Sequence, residues 1–347
     1  MVGWSEGTKG GNGKTMGGGR GGVLLESPDM TDEPTEILTS ASSRALANPG
    51  SRRSTEPSTV LSLDDLGAGY RRLRLGAPAA AAAAAPGQFV HVRVPALDAS
   101  AMRRPVSVCD ADPAAGVLTL VFKIVGRGTA ALATVREGDR VDLMGPLGNG
   151  FPLPPAGAEV LLVGGGYGVA PLYFLARKVL DGRDGLDGQD GRGGIHLFVG
   201  GRTKEDLLLL DDFRALGVDV HPATDDGSLG TKGLVTAPLD TFLAERSHGR
   251  TVTRSHGHAV GPRIRRNAEP CDRRTVLYAC GPAPMLRAID ERAQALGADA
   301  WLSLDRRMLC GVGACLGCTQ VVRDGDATAT VRVCADGPVF PRGRIVW

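Results

Sequence analysis

Four cysteines near the C-terminus constrain this chain more than any other feature. Cys310, Cys315, Cys318 and Cys334 read C-x4-C-x2-C, then a gap of fifteen residues, then C. That is the ligand spacing of a plant-type [2Fe–2S] cluster. Three thiolates must converge from one tight loop, while the fourth arrives from a separate strand. The loop between Cys310 and Cys318 contains Gly311, Gly313 and Gly317. These glycines permit positive φ and let backbone N–H groups approach the cluster sulfurs. A structural zinc site is the competing reading. Zinc prefers two close ligand pairs. Cys315 and Cys318 form one, but Cys310 and Cys334 do not form a second, so iron–sulfur is preferred.

The 347 residues are enough for two or three domains, and the 42% hydrophobic content supports a substantial core. Aromatic residues make up only 4%, which argues against stacking platforms for nucleic acid. A net charge of +2 favours neither DNA nor a membrane surface. The 50 glycines are about twice the usual share, and many sit in low-complexity tracts. Cys109, Cys271 and Cys280 lie outside the cluster motif, and no signal-peptide pattern is present. This set suits a reducing compartment, and the expectation is a cytoplasmic protein. The longest apolar tract, the alanine run at 79–85, is too short to span a bilayer.

Residues 1–56 are rich in Gly, Ser, Thr and Pro and lack apolar periodicity. The expectation is a disordered extension, because it cannot bury enough surface to offset its ordering entropy. Its Gly10-Gly11-Asn12-Gly13-Lys14-Thr15 lacks the leading glycine and the strand of a phosphate loop, and is read as chance. From about residue 59 to 151 the runs 70–75, 88–94, 117–125 and 140–144 predict short strands of a small antiparallel barrel. From residue 159 strands alternate with helices. Strands are predicted at 159–163, 195–199, 218–221 and 275–279, and helices at 169–180, 207–216, 234–245 and 284–296. This alternation predicts a parallel sheet with helices on both faces. The Gly/Asp-rich 181–194 and the Arg/His-rich 247–272 read as surface insertions.

Several motifs carry chemistry. Arg104-Pro105-Val106-Ser107 is read as following a barrel strand. There the guanidinium can pair with phosphate, the hydroxyl can bond a flavin or phosphate, and proline fixes the chain. Val121-Phe122-Lys123 and Gly126-Arg127-Gly128-Thr129 predict a strand and a glycine turn opening a short helix, a phosphate-binding arrangement. Gly145-Pro146-Leu147-Gly148-Asn149-Gly150-Phe151 predicts a rigid turn at the domain boundary. Gly164, Gly165, Gly166 and Gly168, running to Pro171, join strand to helix, so that the backbone can approach a pyrophosphate. Cys280-Gly281-Pro282 ends a later strand, where small residues can face a nicotinamide ring. Each has a bland counterpart: a surface turn, a tight strand–helix turn, a packed core thiol.

The order R-P-x-S, G-P-L-G-x-G-F, G-G-G-x-G-x-A-P-L, C-G-P and the cluster cysteines resembles the ferredoxin-reductase superfamily. It is most similar to the electron-transfer subunits of type B dihydroorotate dehydrogenase. Thr224-Asp225-Asp226-Gly227-Ser228, the segment 230–236 and Cys334-Ala335-Asp336-Gly337-Pro338-Val339-Phe340 add to the likeness. The resemblance covers about residues 59–345, apart from the insertions. The N-terminal extension, the alanine tract, the basic insertion and Arg306-Arg307 depart from the family pattern.

The resemblance implies a mixed β and α/β fold. Residues 57–152 would form an antiparallel FAD-binding β-barrel, and 153–299 an NAD-binding domain with a parallel sheet and insertions 181–194 and 247–272. Residues 300–347 would form a small [2Fe–2S] domain. Arg104, Pro105, Val106, Ser107, Val121, Phe122, Lys123, Gly128 and Thr129 would hold FAD. Gly164, Gly165, Gly166, Gly168, Pro171, Cys280, Gly281 and Pro282 would face NAD. The four motif cysteines would bind the cluster. The implied partner is a separate FMN-containing dihydroorotate dehydrogenase catalytic subunit, two copies of each in the assembly, with neither nucleic acid nor membrane involved. Electrons would pass from that FMN through the cluster and FAD to NAD⁺ in pyrimidine biosynthesis, with no catalytic acid or base required of this chain. Gly201-Arg202-Thr203-Lys204 offers cations near an adenosine ribose, but the family points to NAD over NADP. Two other readings share part of this pattern. One is a stand-alone NAD(P)H reductase serving an oxygenase or ferredoxin. The other is a non-enzymatic metal-binding interaction module.

Overall fold

The structure is a computed structural model that describes residues 54–93, 102–182, 194–248 and 275–347. The segment 1–53, most of both insertions and Cys271 lie outside the described residues. The first body is a closed antiparallel barrel. Its elements in chain order are β1 (Thr55–Gly67), β2 (Tyr70–Gly76), α1 (Pro78–Ala83), β3 (Phe89–Arg93), β4 (Arg104–Asp112), β5 (Val117–Lys123), α2 (Arg127–Leu132) and β6 (Arg140–Leu147). Around the barrel the strands run β1-β2-β5-β4-β3-β6. Alternation explains the closure, since β2 turns Leu73 and Leu75 inward and β4 turns Val106 and Val108 inward. β1 begins two residues inside the expected extension.

The alanine tract, read from sequence only as an apolar run, forms α1 with proline at its start. Ala80 and Ala81 are buried against the barrel. The N–H groups of Ala79 and Ala80 donate to the Glu56 carboxylate at 3.1 and 3.0 Å, which satisfies the first turn. The Arg104 tetrapeptide opens β4 rather than following a strand, because Val106 and Val108 must alternate into the core.

The second body contains β7 (Glu159–Gly165), α3 (Val169–Asp181), β8 (Ile195–Gly201), α4 (Leu210–Ala215), β9 (Asp219–Thr224), β10 (Thr231–Lys232), α5 (Thr236–His248), β11 (Thr275–Gly281) and α6 (Ala283–Leu296). β12 (Asp299–Leu304) follows directly and pairs in parallel with β11. The remaining elements are β13 (Thr319–Asp324), β14 (Ala327–Arg332), α7 (Val333–Asp336) and β15 (Val339–Pro341). Among the described residues the sheet has seven strands in the order β10-β9-β8-β7-β11-β12-β15. Only β15 runs antiparallel to its neighbour. The segment expected to hold the cluster thus gives two strands to the nucleotide sheet. Its own part is the β13–β14 hairpin and the cysteine loop.

β7 is buried on both faces. Val160 and Leu162 pack with α3, while Leu161 and Val163 pack with α5 and α6. The helix expected over 207–216 is shorter, Leu210–Ala215, because Leu209 takes φ +61 and interrupts the helical run. No helix among the described residues is long and apolar enough to cross a membrane.

Candidate functional site

The parallel strands place the two expected nicotinamide elements together. β7 and β11 are neighbours at the point where the strand order reverses, so the loops leaving them share one crevice. A short turn at Gly166–Gly168 runs straight into α3. The structure gives the glycines a reason that spacing does not show. A Cβ on Gly168 would lie 2.3 Å from the Cys280 carbonyl oxygen, and one on Gly165 would lie 2.8 Å from Pro282 Cδ. One on Gly164 would press on Val169 at 3.2 Å. These residues are small because the turn packs on the end of β11. Gly166 differs, with φ +55 and only the Tyr70 hydroxyl, 3.6 Å away, near its Cβ position. Pro171 is buried in the first turn of α3. Cys280 is buried, and burial pushes its thiol up to about 12, so it is a packed neutral thiol.

The expected flavin elements also meet. A Cβ on Gly128 would fall 2.0 Å from Arg104 Nε, so the arginine side chain lies across the start of α2. Among the described residues Arg104 Nη1 donates to the carbonyls of Met102 and Arg103, at 2.8 and 3.3 Å. The guanidinium and the glycine beneath it form a cradle suited to an anionic group. The Thr129 hydroxyl is used locally. It accepts from the N–H groups of Val125 and Gly126 at 2.9 and 3.2 Å and donates to the Gly126 carbonyl. Val121 and Phe122 are buried, so only their backbone can face a ligand. Pro105 and Val106 pair with His91 and Val90 across β3, and Ser107 pairs with Phe89.

Lys123, expected beside the flavin, is engaged elsewhere. Its ammonium reaches Asp206 Oδ1 at 2.8 Å and the Tyr70 hydroxyl at 3.1 Å, and Tyr70 donates to the same Asp206 oxygen at 2.9 Å. Burial opposes the charge on Asp206, but hydrogen bonds from Lys123 and Tyr70 prevail and hold its carboxyl at about 2. This network ties barrel strands β2 and β5 to the turn after β8. Because the folded carboxyl sits below its unfolded value of about 3.9, the stabilisation is complete above about pH 4 and is lost as pH falls toward 2. Asp206→Asn is expected to cost about 2 kcal/mol near neutrality. The gap between wild type and variant should narrow in urea melts as pH drops from 5 to 3. A gap that widens on acidification would contradict this account.

The four cysteines come together, but Cys334 comes from the short helix α7 that follows β14 rather than from a strand, and among the described residues none is in a disulfide. Every sulfur accepts a backbone N–H. Cys310 Sγ accepts from Val312, Ala314 and Cys315 at 3.5, 3.3 and 3.4 Å. Cys334 Sγ accepts from Gly313 at 3.1 Å, Cys315 Sγ from Gly317 at 3.5 Å, and Cys318 Sγ from Cys334 at 3.4 Å. Gly311, Gly313 and Leu316 take positive φ, which turns those N–H groups inward. Donors aimed at four sulfurs fit thiolate ligands of an iron–sulfur centre. Burial opposes ionisation of Cys310, but the N–H groups of Val312, Cys315 and Ala314 bring it down to about 6. Burial and the neighbouring Cys318 push Cys334 up to about 12. Cys318 and Cys334 are buried, whereas Cys315 is exposed.

Three further residues fasten the loop. His91, on β3, is fully buried, and among the described residues neither ring nitrogen has a hydrogen-bond partner. A Cβ on Gly311 would meet its ring at 2.8 Å, so the imidazole lies against the cluster loop. Burial, then the charge of Arg103, keeps that ring neutral, at about 4. Orphaned buried nitrogens beside a loop of inward-facing donors suit a neighbouring group supplied from outside the polypeptide. Asn149, in the boundary turn, donates from its side chain to the Asp336 carbonyl at 3.0 Å and from its backbone to the Gly337 carbonyl at 2.7 Å. Tyr167 donates to Asp305 at 2.8 Å, joining the nucleotide loop to the cluster segment. A single histidine in an apolar strand carries no pattern, and only the boundary turn was visible beforehand.

Three family models match in chain order. They are the oxidoreductase FAD-binding domain over residues 60–151, the oxidoreductase NAD-binding domain over 162–291, and the iron-sulfur cluster binding domain of dihydroorotate dehydrogenase B over 305–346. A Bacillus caldolyticus protein named dihydroorotate dehydrogenase B (NAD(+)), electron transfer subunit, is 42% identical over 265 residues, 75% of this chain and 86% of its own. A Desulforamulus reducens protein of the same name is 34% identical over 275 residues, 79% and 92% of the two chains. A solved NADH-dependent reduced ferredoxin-NADP oxidoreductase structure superposes with a TM-score of 0.65 at 27% identity, over 85% of this chain and 91% of that one. A ferredoxin reductase in carbazole 1,9a-dioxygenase shares the fold with a TM-score of 0.53 at 23% identity, over 72% and 68% of the two chains. With its FAD-binding, NAD-binding and iron–sulfur domains in this order, the chain belongs to the family of dihydroorotate dehydrogenase B electron transfer subunits.

Proposed function

We propose that this chain links nicotinamide to the flavin of a partner enzyme, as the electron-transfer subunit of an NAD-dependent dihydroorotate dehydrogenase of pyrimidine biosynthesis. One observation carries the reading beyond family membership. Strand β4, which opens with Arg104-Pro105-Val106-Ser107, pairs with β3, whose His91 packs on Gly311 of the cysteine loop. His91 thus joins the strand beside the flavin cradle to the cluster loop. When bound, FAD exchanges a hydride for single electrons, NAD carries the hydride, and the cluster passes one electron at a time.

The residues of the chain bind and orient these groups. Arg104 and Gly128, with Pro105, Val106, Ser107, Val121, Phe122 and Thr129, form the flavin side. Gly164, Gly165, Gly166, Gly168, Pro171, Cys280, Gly281 and Pro282 form the nicotinamide crevice. Cys310, Cys315, Cys318 and Cys334 ligate the cluster. Lys123 closes the barrel onto the nucleotide sheet instead of binding FAD. NAD is preferred over NADP, because the relatives of this chain are named as NAD(+)-dependent. The proposed partner is an FMN-containing catalytic subunit, two copies of each in the assembly, and the proposed compartment is the cytoplasm. Cys315, Leu309 and Leu316 are exposed at the cluster loop and offer the face for that partner.

Anaerobically purified chain should show flavin and cluster bands that bleach on adding NADH. It should reduce dyes with NADH yet oxidise dihydroorotate only after the FMN subunit is added. Dihydroorotate oxidation by the isolated chain would end the assignment. The likeness to the ferredoxin-NADP oxidoreductase supports a second reading, a reductase for a ferredoxin-type acceptor. That reading predicts ferredoxin reduction and no dihydroorotate-dependent NAD⁺ reduction with the FMN subunit present.

A further inference from the structure

The end of the nucleotide sheet opposite the glycine turn holds a side-chain cluster that the relay does not use. His196 stands near the start of β8, and Asp219 and His221 stand near the start of β9. The strands are parallel, and their register pairs His196 with Asp219. Asp219 and His221, two residues apart, project to one side of the sheet. The three side chains therefore meet on a single face, under Phe242 of α5, which lies 4.6 Å from the His196 ring and 5.7 Å from the His221 ring.

We propose that His196, Asp219 and His221 form a zinc-class divalent cation site, with solvent completing the coordination. His196 Nδ1 is 3.1 Å and His221 Nε2 is 3.0 Å from the same oxygen, Asp219 Oδ2. One ligand atom from each residue lies within 4.8 Å of the others. Two atoms bound at about 2.0–2.1 Å to one ion are about 2.8–3.4 Å apart, depending on octahedral or tetrahedral angles. The two short distances match ligands sharing an ion, and the His196–Asp219 contact also serves as a hydrogen bond while no ion is bound.

Hydrogen bonding alone leaves the cluster incomplete. Among the described residues the buried His221 Nε2 makes no hydrogen bond, although the carboxylate oxygen is so close. That oxygen lies off the ring's N–H direction. An ion on the lone-pair axis of the imidazole places its neighbouring ligand off that axis, as seen here.

The surroundings match what ligating histidines require. His196 Nε2, on the far side of the ring, lies 3.7 Å from Glu159 Oε1, and Glu159 is buried. Metal-bound histidines turn their second nitrogen to such a carboxylate. Thr275 donates to Glu159 at 3.1 Å, and Arg246 pairs with it. Arg246 offsets the Glu159 charge, which leaves the Asp219 charge for a dication. The side chain of Asp219 is 60% exposed, which leaves an entry path. Two imidazoles and one carboxylate with open positions suit Zn²⁺ and its neighbours in the first transition row.

Such an ion would bridge β8 to β9 far from the crevice, so it would stabilise the sheet without entering the redox path. The test uses cluster- and flavin-loaded chain of matched iron content, dialysed against buffered Zn²⁺ and assayed for bound zinc. Native protein should hold one zinc per chain beyond its iron. Its melting point should rise by about 5–10 °C at a hundredfold excess over Kd. His221→Gln and Asp219→Asn should each weaken zinc binding by about 100-fold or more and abolish the melting shift, while leaving NADH–dye activity intact. His256→Ala with His258→Ala should leave zinc binding unchanged. The proposal is overturned if native protein takes up no zinc, or if either ligand variant binds it with native affinity. Should His221→Gln fail to fold, the exposed Asp219→Asn decides the outcome.

Discussion

Cys318→Ser is expected to yield a yellow protein without iron. It should still reduce dyes with NADH but lose transfer to any acceptor served by the cluster. Cys318 is 3% exposed and packs in the core beneath the β13–β14 hairpin. Its sulfur accepts the Cys334 N–H, and its carbonyl accepts the Val333 N–H at 2.9 Å. The residue therefore holds two of the four ligands in register. Serine keeps the shape of the side chain but replaces a soft thiolate with a hydroxyl that iron–sulfur assembly does not retain. Among the described residues the only hydrogen bond to that sulfur comes from Cys334, and none ties it to the barrel or the β7–β11 crevice, so flavin reduction by NADH should persist. Transfer through the cluster should fall beyond the about 10–100-fold that loss of an outer partner costs a metal site. Iron assay, EPR of the reduced protein and paired dye and partner assays check this. Native iron content in the variant, or equal loss of both activities, would refute it.

Gly168→Ala should produce the largest loss of stability among the crevice glycines. The backbone there is ordinary, with φ −62 and ψ −13, so alanine suffers no torsional strain. The cost is collision, because the new methyl would sit 2.3 Å from the Cys280 oxygen and 2.6 Å from its carbonyl carbon. Both atoms belong to the backbone of a central strand, which cannot swing away as a side-chain tip would. Overpacking of this kind costs about 3 kcal/mol, or a fall of about 6–12 °C in melting temperature. KM for NADH should rise as the turn is displaced. Gly166→Ala is the contrasting case. Its position is open but left-handed, and alanine should cost only about 1–2 kcal/mol. If Gly166→Ala proved the more damaging of the two, the packing account of this turn would be wrong.

The same pair of glycines marks where sequence reading stops. The run from Gly164 to Gly168 was legible as a strand-to-helix turn, because short apolar strands, glycine and an apolar helix have local signatures. Its stated reason, approach to a pyrophosphate, accounts for less than the contact with Cys280 and Pro282, more than a hundred residues away. Lys123 teaches the same lesson. From sequence it was one more cation beside a flavin motif; in the fold, Asp206 and Tyr70 claim it. β12 and β15 were missed because neither has a turn-bounded pattern of its own, and each becomes a strand by pairing with one already in place.

By itself the sequence determined four cysteines at cluster spacing, the barrel followed by the parallel sheet, and the family. Each rests on interactions a few residues long: thiolate spacing around one centre, alternation within a strand, a stripe along a helix. Only tertiary structure decided which side chain bridges the flavin strand to the cysteine loop, what Lys123 binds, and how two histidines and an aspartate come to share a face. Those outcomes depend on chain-distant groups brought within a few ångströms, and no local pattern of residues records such a meeting.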